Sequence, residues 1–395
     1  MSKIILLILA VCFPLSSQSE INESILGKGE NYPSNCEYPK SNYVKCLVSW
    51  FSANDPSPSP MVRRIVKNGA EVRELSLDSS IDQIVKSRLD DTFKRTPLMA
   101  MLVVKNGKLI YENYQYDRKP SDTLMYMSMT KSLVALSIGK AIELGNIKSV
   151  NDTVSQYLPE LSSSPYANIS IKNLLQMTSG VGYNYDPYGY DSDTNRLTLV
   201  TNGYSEKFSS LSNYLNSFKP SIKNSEQGKF FNYDDNNTNI LAMIIKSATK
   251  QPLDEFFSQQ IWSKIGTESP GSWQGNKNTD LMAHAGFHST PKDLARLGLV
   301  LLNEGKYGDQ QIISKSWIDT QFAPLVKTKI LKGGDFYGYQ TWVLDEKGKQ
   351  FAFKGNLGQS MMIDKSSNTI LVTFGVDLKN EFWPDIFKTF VYVSK

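Results

Sequence analysis

The chain reads as an α+β protein in which an antiparallel sheet, formed by the N- and C-terminal parts and flanked by helices, encloses an inserted, mainly helical region. Two observations predict this. Apolar runs bounded by turn residues occur at 99–114 and return at 337–375, whereas roughly 156–280 lacks strong period-two segments and contains helix-like ones. The composition agrees with an ordinary folded protein: 395 residues, 40% hydrophobic, 21% charged, with 25 Gly and 17 Pro. That profile excludes disordered, collagen-like and coiled-coil classes. The 43 basic and 39 acidic residues give a formal charge of +4, and basic residues cluster no further than pairs such as Arg63-Arg64. Nucleic acid is therefore not an expected partner.

Residues 1–20 read as a secretory signal peptide: Lys3, an apolar run from Ile4 to Leu15, then Ser16, Ser17 and Ser19. That run is shorter than the roughly 20 residues a membrane helix needs, and no later stretch approaches that length. A retained N-terminal anchor and a lipoprotein modified at Cys12 are the alternatives; Val11 fits lipoprotein processing poorly. The expectation is an exported protein, periplasmic or secreted, with no membrane span once mature. Within the extension 21–80, Cys36 and Cys46 are separated by nine residues, and an oxidising compartment favours their pairing as a structural disulfide. No other Cys or His is near enough in sequence to complete a zinc site with them. Pro56, Pro58 and Pro60 mark an extended linker at 51–60, and the main domain, 81–395, is expected to begin near residue 80.

From Met99 to Tyr114 two apolar runs flank Lys105-Asn106-Gly107-Lys108, a hairpin signal with Asn-Gly at the turn. From about Ser128 the spacing of Val134, Ile138, Ala141 and Ile142 predicts a helix with one buried face, stopped at Gly145-Asn146. Helix-like stretches follow at 169–178, 208–217, 239–250 and 252–264. Thr290-Pro291-Lys292-Asp293 combines a cap, a proline at the first helical position and an acid three residues after the cap, so a helix starts there and turns Leu294, Leu297 and Leu301 inward. Strands are then expected at 337–344, 350–354, 359–364 and 369–375. An active site would lie at the seam between the two parts of the sheet and the insertion.

The chemistry is constrained by having only two histidines, His284 and His288. Neither belongs to an H-E-x-x-H helix, and no G-x-S-x-G elbow is present to supply a triad serine. Both read as ordinary hydrogen-bonded residues. Serine can instead be activated by a lysine one helical turn away. Ser-x-x-Lys occurs three times, at Ser128-Lys131, Ser137-Lys140 and Ser247-Lys250. Only Ser128 stands where a non-helical stretch becomes a helix, so that an unpaired amide and the positive end of the helix are available to a developing oxyanion. Lys131, if desolvated, could take the hydroxyl proton. A second proton carrier is expected, and Tyr233 lies on the loop feeding an apolar helix that starts at Ile240, with Asn236 or Asn237 as cap. A second oxyanion donor is expected from a strand edge, where Lys354-Gly355-Asn356-Leu357-Gly358-Gln359 interrupts a strand pattern with glycines that permit close backbone approach.

Taken together, these segments resemble the serine β-lactamase and penicillin-binding-protein-like hydrolases, over about residues 85–390. The nearest likeness is to the class C β-lactamase group that also holds esterases, D-amino-acid peptidases and 6-aminohexanoate-dimer hydrolases. Besides Ser128-Met-Thr-Lys131, the likeness rests on Leu174-Leu175-Gln176-Met177-Thr178-Ser179-Gly180, Tyr233-Asp234-Asp235, Ala285 through Arg296, and Gly355-Asn356-Leu357-Gly358-Gln359. It implies Ser128 as acylated nucleophile, Lys131 as its base or proton-sharing partner, and Tyr233 as proton relay. The oxyanion hole it implies is formed by the amides of Ser128 and Asn356, with Gly355 and Asp235 completing the substrate-binding set. The implied reaction is two-step acyl transfer on carboxylic esters, small amides or short peptides, of D-amino-acid or 6-aminohexanoate-oligomer type. It needs no metal or organic cofactor.

Two positions depart from the family pattern. Asp235 stands where Asn or Ser is usual, so an ionised Asp would hold Lys131 protonated and weaken it as a base. Phe353-Lys354-Gly355 replaces lysine-threonine-glycine, and a lysine displaced by one residue points to the opposite face of its strand. Binding of a β-lactam carboxylate is thereby put in doubt, while ester or amide hydrolysis is not. Tyr185 and Tyr188 follow the Leu174–Gly180 motif and could wall the pocket. Two alternatives stay open: a D-alanyl carboxypeptidase or β-lactamase, and a non-catalytic binding protein on the same fold. The oligomeric state is open as well.

Overall fold

The computed structural model describes residues 61–395 apart from 117, 188–190, 221, 279, 332–333 and 378–380. The signal segment 1–20, the Cys36–Cys46 pair, the 51–60 linker and Tyr188 lie outside the described residues.

In chain order the elements are β1 (Met61–Val66), α1 (Gln83–Arg95), β2 (Leu98–Lys105), β3 (Lys108–Tyr114), β4 (Leu124–Met125) and α2 (Thr130–Glu143). Then come α3 (Val154–Tyr157), α4 (Ile171–Leu175), α5 (Asp193–Thr201), α6 (Leu211–Ser217), α7 (Asp235–Thr249) and α8 (Leu253–Gln260). The chain returns through β5 (Gly271–Asn276), β6 (Phe287–Ser289), α9 (Pro291–Leu302), β7 (Lys306–Tyr307), β8 (Gln310–Gln311) and α10 (Lys315–Gln321). It ends with β9 (Val326–Leu331), β10 (Gly334–Tyr337), β11 (Trp342–Val343), β12 (Gln350–Lys354), β13 (Ser360–Asp364), β14 (Thr369–Gly375) and α11 (Trp383–Val393).

Eight of these strands form one antiparallel sheet in the order β3-β2-β14-β13-β12-β11-β10-β9. The N-terminal hairpin thus pairs with the last strand, as expected for a sheet assembled from both ends of the domain. Its turn is tight because Asn106 (φ 51°) and Gly107 (φ 79°) both adopt positive φ, which matches the twist of the flanking strands. Side chains alternate between two cores. Ala100, Leu102 and Val104 pack with Phe351, Phe353, Ile370 and Val372 beneath α2 and α9, whereas Met101 and Val103 face the other way with Ala352, Met362 and Leu371, beneath α1 and α11. The C-terminal helix is amphipathic, burying Ile386, Phe390 and Val393 against that second face.

Two helix expectations are corrected, and a small second sheet adds to the expected organisation. Residues 61–66, read from the sequence as part of the N-terminal extension, form β1, which pairs with β5 over six residues and buries Met61 and Val66. The same pairing puts a strand inside the nominally helical insertion, in a small sheet ordered β1-β5-β6-β4. The helix at 128–144 is buried on every side from Thr130 to Ala141 rather than along one stripe, because it runs through the middle of the molecule. The helix expected from Ile240 begins at Asp235, capped not by Asn236 or Asn237 but by Asp234, whose carboxylate accepts the Asn236 N–H at 2.9 Å. Asn237, Thr238 and Asn239 are polar yet buried, which hid their helical phase. In contrast, α9 starts as expected, with the Thr290 hydroxyl accepting the Asp293 N–H at 3.1 Å and Pro291 in the first turn.

The expected strand 337–344 is interrupted at Gln340 (φ 52°). Its side chain accepts from Thr238 Oγ1 (2.8 Å) and donates to Leu174 O (2.8 Å), while its carbonyl accepts from Ser132 Oγ (2.6 Å). This one residue ties α2, α4 and α7 together behind the site. Among the described residues no helix is long and apolar enough to cross a membrane.

Candidate active site

Ser128 sits in a 3-10 turn, Met127–Met129, that runs straight into α2. From Leu124 to Ala141 it is the only residue that is not fully buried. Met127, just before it, has φ 50°, a left-handed conformation that costs a non-glycine residue about 1 kcal/mol and persists only where surrounding contacts enforce it. Two of those contacts are backbone bonds, Tyr126 N–H to Phe287 O at 2.8 Å and Met129 N–H to Tyr126 O at 3.2 Å.

One helical turn later, Lys131 is 1% exposed. Its Nζ donates to Ser128 Oγ at 2.8 Å and to the His284 carbonyl at 3.0 Å, and it is ion-paired with Asp235 Oδ1 at 2.7 Å. Lys131 is thus buried beside the serine. The other two Ser-x-x-Lys pairs are spent on local structure. Ser137 Oγ bonds Leu133 O at 2.9 Å with Lys140 paired to Glu143, and Ser247 Oγ bonds Tyr157 O at 2.6 Å.

Tyr233 precedes the cap of α7, which delivers its ring to within 4.9 Å of Lys131 Nζ. Its hydroxyl is pushed above the usual tyrosine range, by burial first and by the Asp235 carboxylate second, while the Ser128 hydroxyl opposes this. An aromatic group surrounds it: Tyr185 edge-on at 4.9 Å, Trp342 stacked at 5.9 Å, and Phe231 and Tyr337 both at 6.3 Å. The Tyr185 hydroxyl accepts from Asn356 Nδ2 at 3.1 Å, which places Tyr185 next to the strand-edge motif.

That motif abuts the serine. A Cβ on Gly355 would lie 2.6 Å from Tyr126 O and 2.9 Å from Met127 Cβ, so only glycine lets the end of β12 approach the turn this closely. Leu357 (φ 70°) and Gly358 (φ 89°) then reverse the chain into β13.

His284 reaches the site through its backbone, a role with no sequence signal. Its Nδ1 lies 2.9 Å from Asn239 Nδ2, which also donates to Asp235 O at 2.8 Å, while Asn239 Oδ1 accepts the Ala283 N–H at 3.2 Å. Nδ1 must therefore accept, which leaves the proton on Nε2. Burial holds this imidazole at a pKa of about 4, and Lys131 adds to that while Asp235 opposes it. Asn239 could have been found from its helical spacing of four from Asp235. His288 instead contacts Gly286 O at 3.1 Å on β6.

The beta-lactamase family model matches residues 81–375. The chain belongs to the beta-lactamase family. The 6-aminohexanoate-dimer hydrolase of Paenarthrobacter ureafaciens is 24% identical over 304 residues, 75% of this chain and 76% of that protein. Protein flp of Staphylococcus aureus strain MRSA252 is 28% identical over 229 residues, 53% of this chain but only 42% of that protein. Among solved structures, a 6-aminohexanoate-dimer hydrolase candidate from Bacillus anthracis superposes with a TM-score of 0.70 at 23% identity, covering 85% of this chain and 91% of that one. EstCE1, a hydrolase with promiscuous acyltransferase activity, superposes with a TM-score of 0.62 at 16% identity, covering 77% and 97%. Family members carry the α+β fold seen here, with an antiparallel sheet and flanking helices.

Proposed function

We propose that the chain is a serine hydrolase that cleaves carboxylic esters or small amides through an acyl-enzyme on Ser128. The observation that carries this reading is the convergence on one serine of a buried lysine at 2.8 Å and a buried tyrosine whose ring lies 4.9 Å from that lysine, at a helix start pressed against a glycine strand edge. Ser128 Oγ attacks the acyl carbon while its proton passes to the Lys131–Tyr233 cluster. The same proton is delivered to the leaving alkoxide or amine. Water then attacks the ester, gives its proton to the cluster, and Ser128 recovers it as the acid leaves. The amides of Ser128 and Asn356 stabilise the oxyanion in both steps. Substrates of ω-amino-acid amide type are supported by the likeness to the Paenarthrobacter enzyme. Export through residues 1–20, with Cys36 paired to Cys46, belongs to the same proposal, and N-terminal sequencing of the mature protein tests it.

The Lys131–Asp235 ion pair favours a second reading, a binding protein on the same fold, because a carboxylate at 2.7 Å opposes proton uptake by the lysine. Intact-mass labelling with a fluorophosphonate separates the two. A single adduct on the wild type and none on Ser128→Ala supports acylation, whereas no adduct on folded wild type supports the binding protein.

A further inference from the structure

Met177 belongs to the Leu174–Gly180 segment, which the sequence marks but to which the proposed acyl transfer assigns no step. It follows α4 and adopts φ 57°, a left-handed backbone that a non-glycine residue keeps only where its surroundings enforce it. The residues on either side of Tyr233 both donate their N–H groups to it. Asn232 N–H reaches Met177 O at 2.8 Å, and Asp234 N–H reaches Met177 Sδ at 3.4 Å. Asn237 Nδ2, in the first turn of α7, donates to the same sulfur at 3.5 Å. Met177 thus holds the chain before Tyr233, after it, and again at the start of the helix that follows.

Met177, Asp234 and Asn237 are fully buried, and Met177 packs in the same apolar cluster as Tyr233, Tyr337 and Trp342. A buried donor left without an acceptor is costly, whereas a thioether both suits an apolar cluster and accepts weakly from N–H groups. Leucine would fill a similar volume and accept nothing. The Tyr233 ring stands 4.9 Å from Lys131 Nζ, which is itself 2.8 Å from Ser128 Oγ. A shift of the 232–237 segment therefore moves the tyrosine against the reacting pair, and small misplacements of reacting groups cost large factors in rate.

We propose that Met177 is a positioning residue for Tyr233, its sulfur and carbonyl fixing the chain on both sides of the tyrosine so that the hydroxyl meets the Lys131–Ser128 pair. The proposal rests on the reading that Ser128 is acylated, and its test keeps the two apart. In the full chain, the rate at which a fluorophosphonate labels Ser128 is compared in wild type, Met177→Leu, Met177→Gln, Tyr233→Phe and the double variant Met177→Leu with Tyr233→Phe. Thermal unfolding confirms that each is folded. Met177→Leu is expected to slow labelling about tenfold or more, and Met177→Gln, which keeps an acceptor on an unbranched side chain, to recover part of that loss. Once the tyrosine hydroxyl is gone, Met177→Leu should change the rate by less than about twofold, because its effect passes through that hydroxyl. In parallel, the NMR signals of the Tyr233 ring, assigned by their loss in Tyr233→Phe, are recorded in wild type and Met177→Leu. A shifted or broadened Tyr233 signal in Met177→Leu supports the positioning role even if no variant is labelled, an outcome that would count against acylation alone. Equal slowing by Met177→Leu with and without the hydroxyl, or a Tyr233 signal identical to wild type, overturns the proposal even if Ser128 is labelled.

Discussion

Lys131 has Ser128 Oγ, Asp235 Oδ1 and His284 O within 3.0 Å, and none of the three lies on its own helix. Removing the one charged partner, as in Asp235→Ala, leaves an ammonium buried without compensation, so a loss of about 3–5 kcal/mol is expected in urea unfolding. Asp235→Asn, which keeps an acceptor in place, should lose clearly less. His284 predicts a pH effect of defined sign. Its folded pKa, about 4, lies below the ordinary 6.5, so the unfolded chain binds the extra proton between those values. Its contribution is complete above about pH 6.5 and declines as pH falls towards 4, by about 3 kcal/mol in total. Wild type minus His284→Gln should show that acid limb, and parallel stability curves over pH 4–6.5 would contradict it. In the sequence, Ser128, Lys131 and Asp235 were legible as residue types at meaningful spacings. The His284 carbonyl was not, because a backbone oxygen has no side-chain signature and its approach depends on a contact spanning 153 residues.

At the scale of elements, the site is a junction between the start of α2, the start of α7 and the end of β12. Gly355 sets the closeness of that junction, since a methyl group there meets backbone at 2.6 Å and the Met127 side chain at 2.9 Å. Relief requires moving the turn that carries Ser128. Gly355→Ala is therefore expected to cost about 1–3 kcal/mol of stability by overpacking. Its fluorophosphonate labelling rate should fall by about tenfold or more, as expected for a small misplacement of the reacting group. A variant that is destabilised but labels at the wild-type rate would show that the approach is structural only. The helix starts also explain why α9 was easier to read than α7. Thr290 and Pro291 are local capping signals, whereas the cap of α7, Asp234, lies in a run of Asp and Asn in which several residues could serve. Tertiary contacts choose among them: Asp234 Oδ2 accepts from the buried Tyr166 hydroxyl at 2.8 Å, which fixes that carboxyl as the cap.

For the whole molecule, the eight-stranded sheet joins the beginning and end of the family-matched region, and β1 extends the body further towards the N-terminus. β1 supplies all six partners of β5, which in turn pairs with β6 beside the loop that carries His284. A chain shortened to begin after residue 67 should therefore unfold at lower temperature than one beginning at residue 61. Its labelling of Ser128 should also weaken, because the β6 segment that accepts the Tyr126 N–H would lose its support. Equal melting temperatures for the two truncations would show that β1 is dispensable.

The local regularities of the chain determined the hairpin at Asn106-Gly107, the capped start of α9, the α+β arrangement and the helix entrance at Ser128. Each depends on a few adjacent residues and on backbone geometry that neighbours dictate. Tertiary structure alone decided that Lys131 is buried against both Asp235 and the His284 carbonyl, that β1 and β5 belong to one sheet, and that Lys354 rests on Trp383. Burial and charge pairing are properties of surfaces brought together from distant parts of the chain, and short-range periodicity does not encode them.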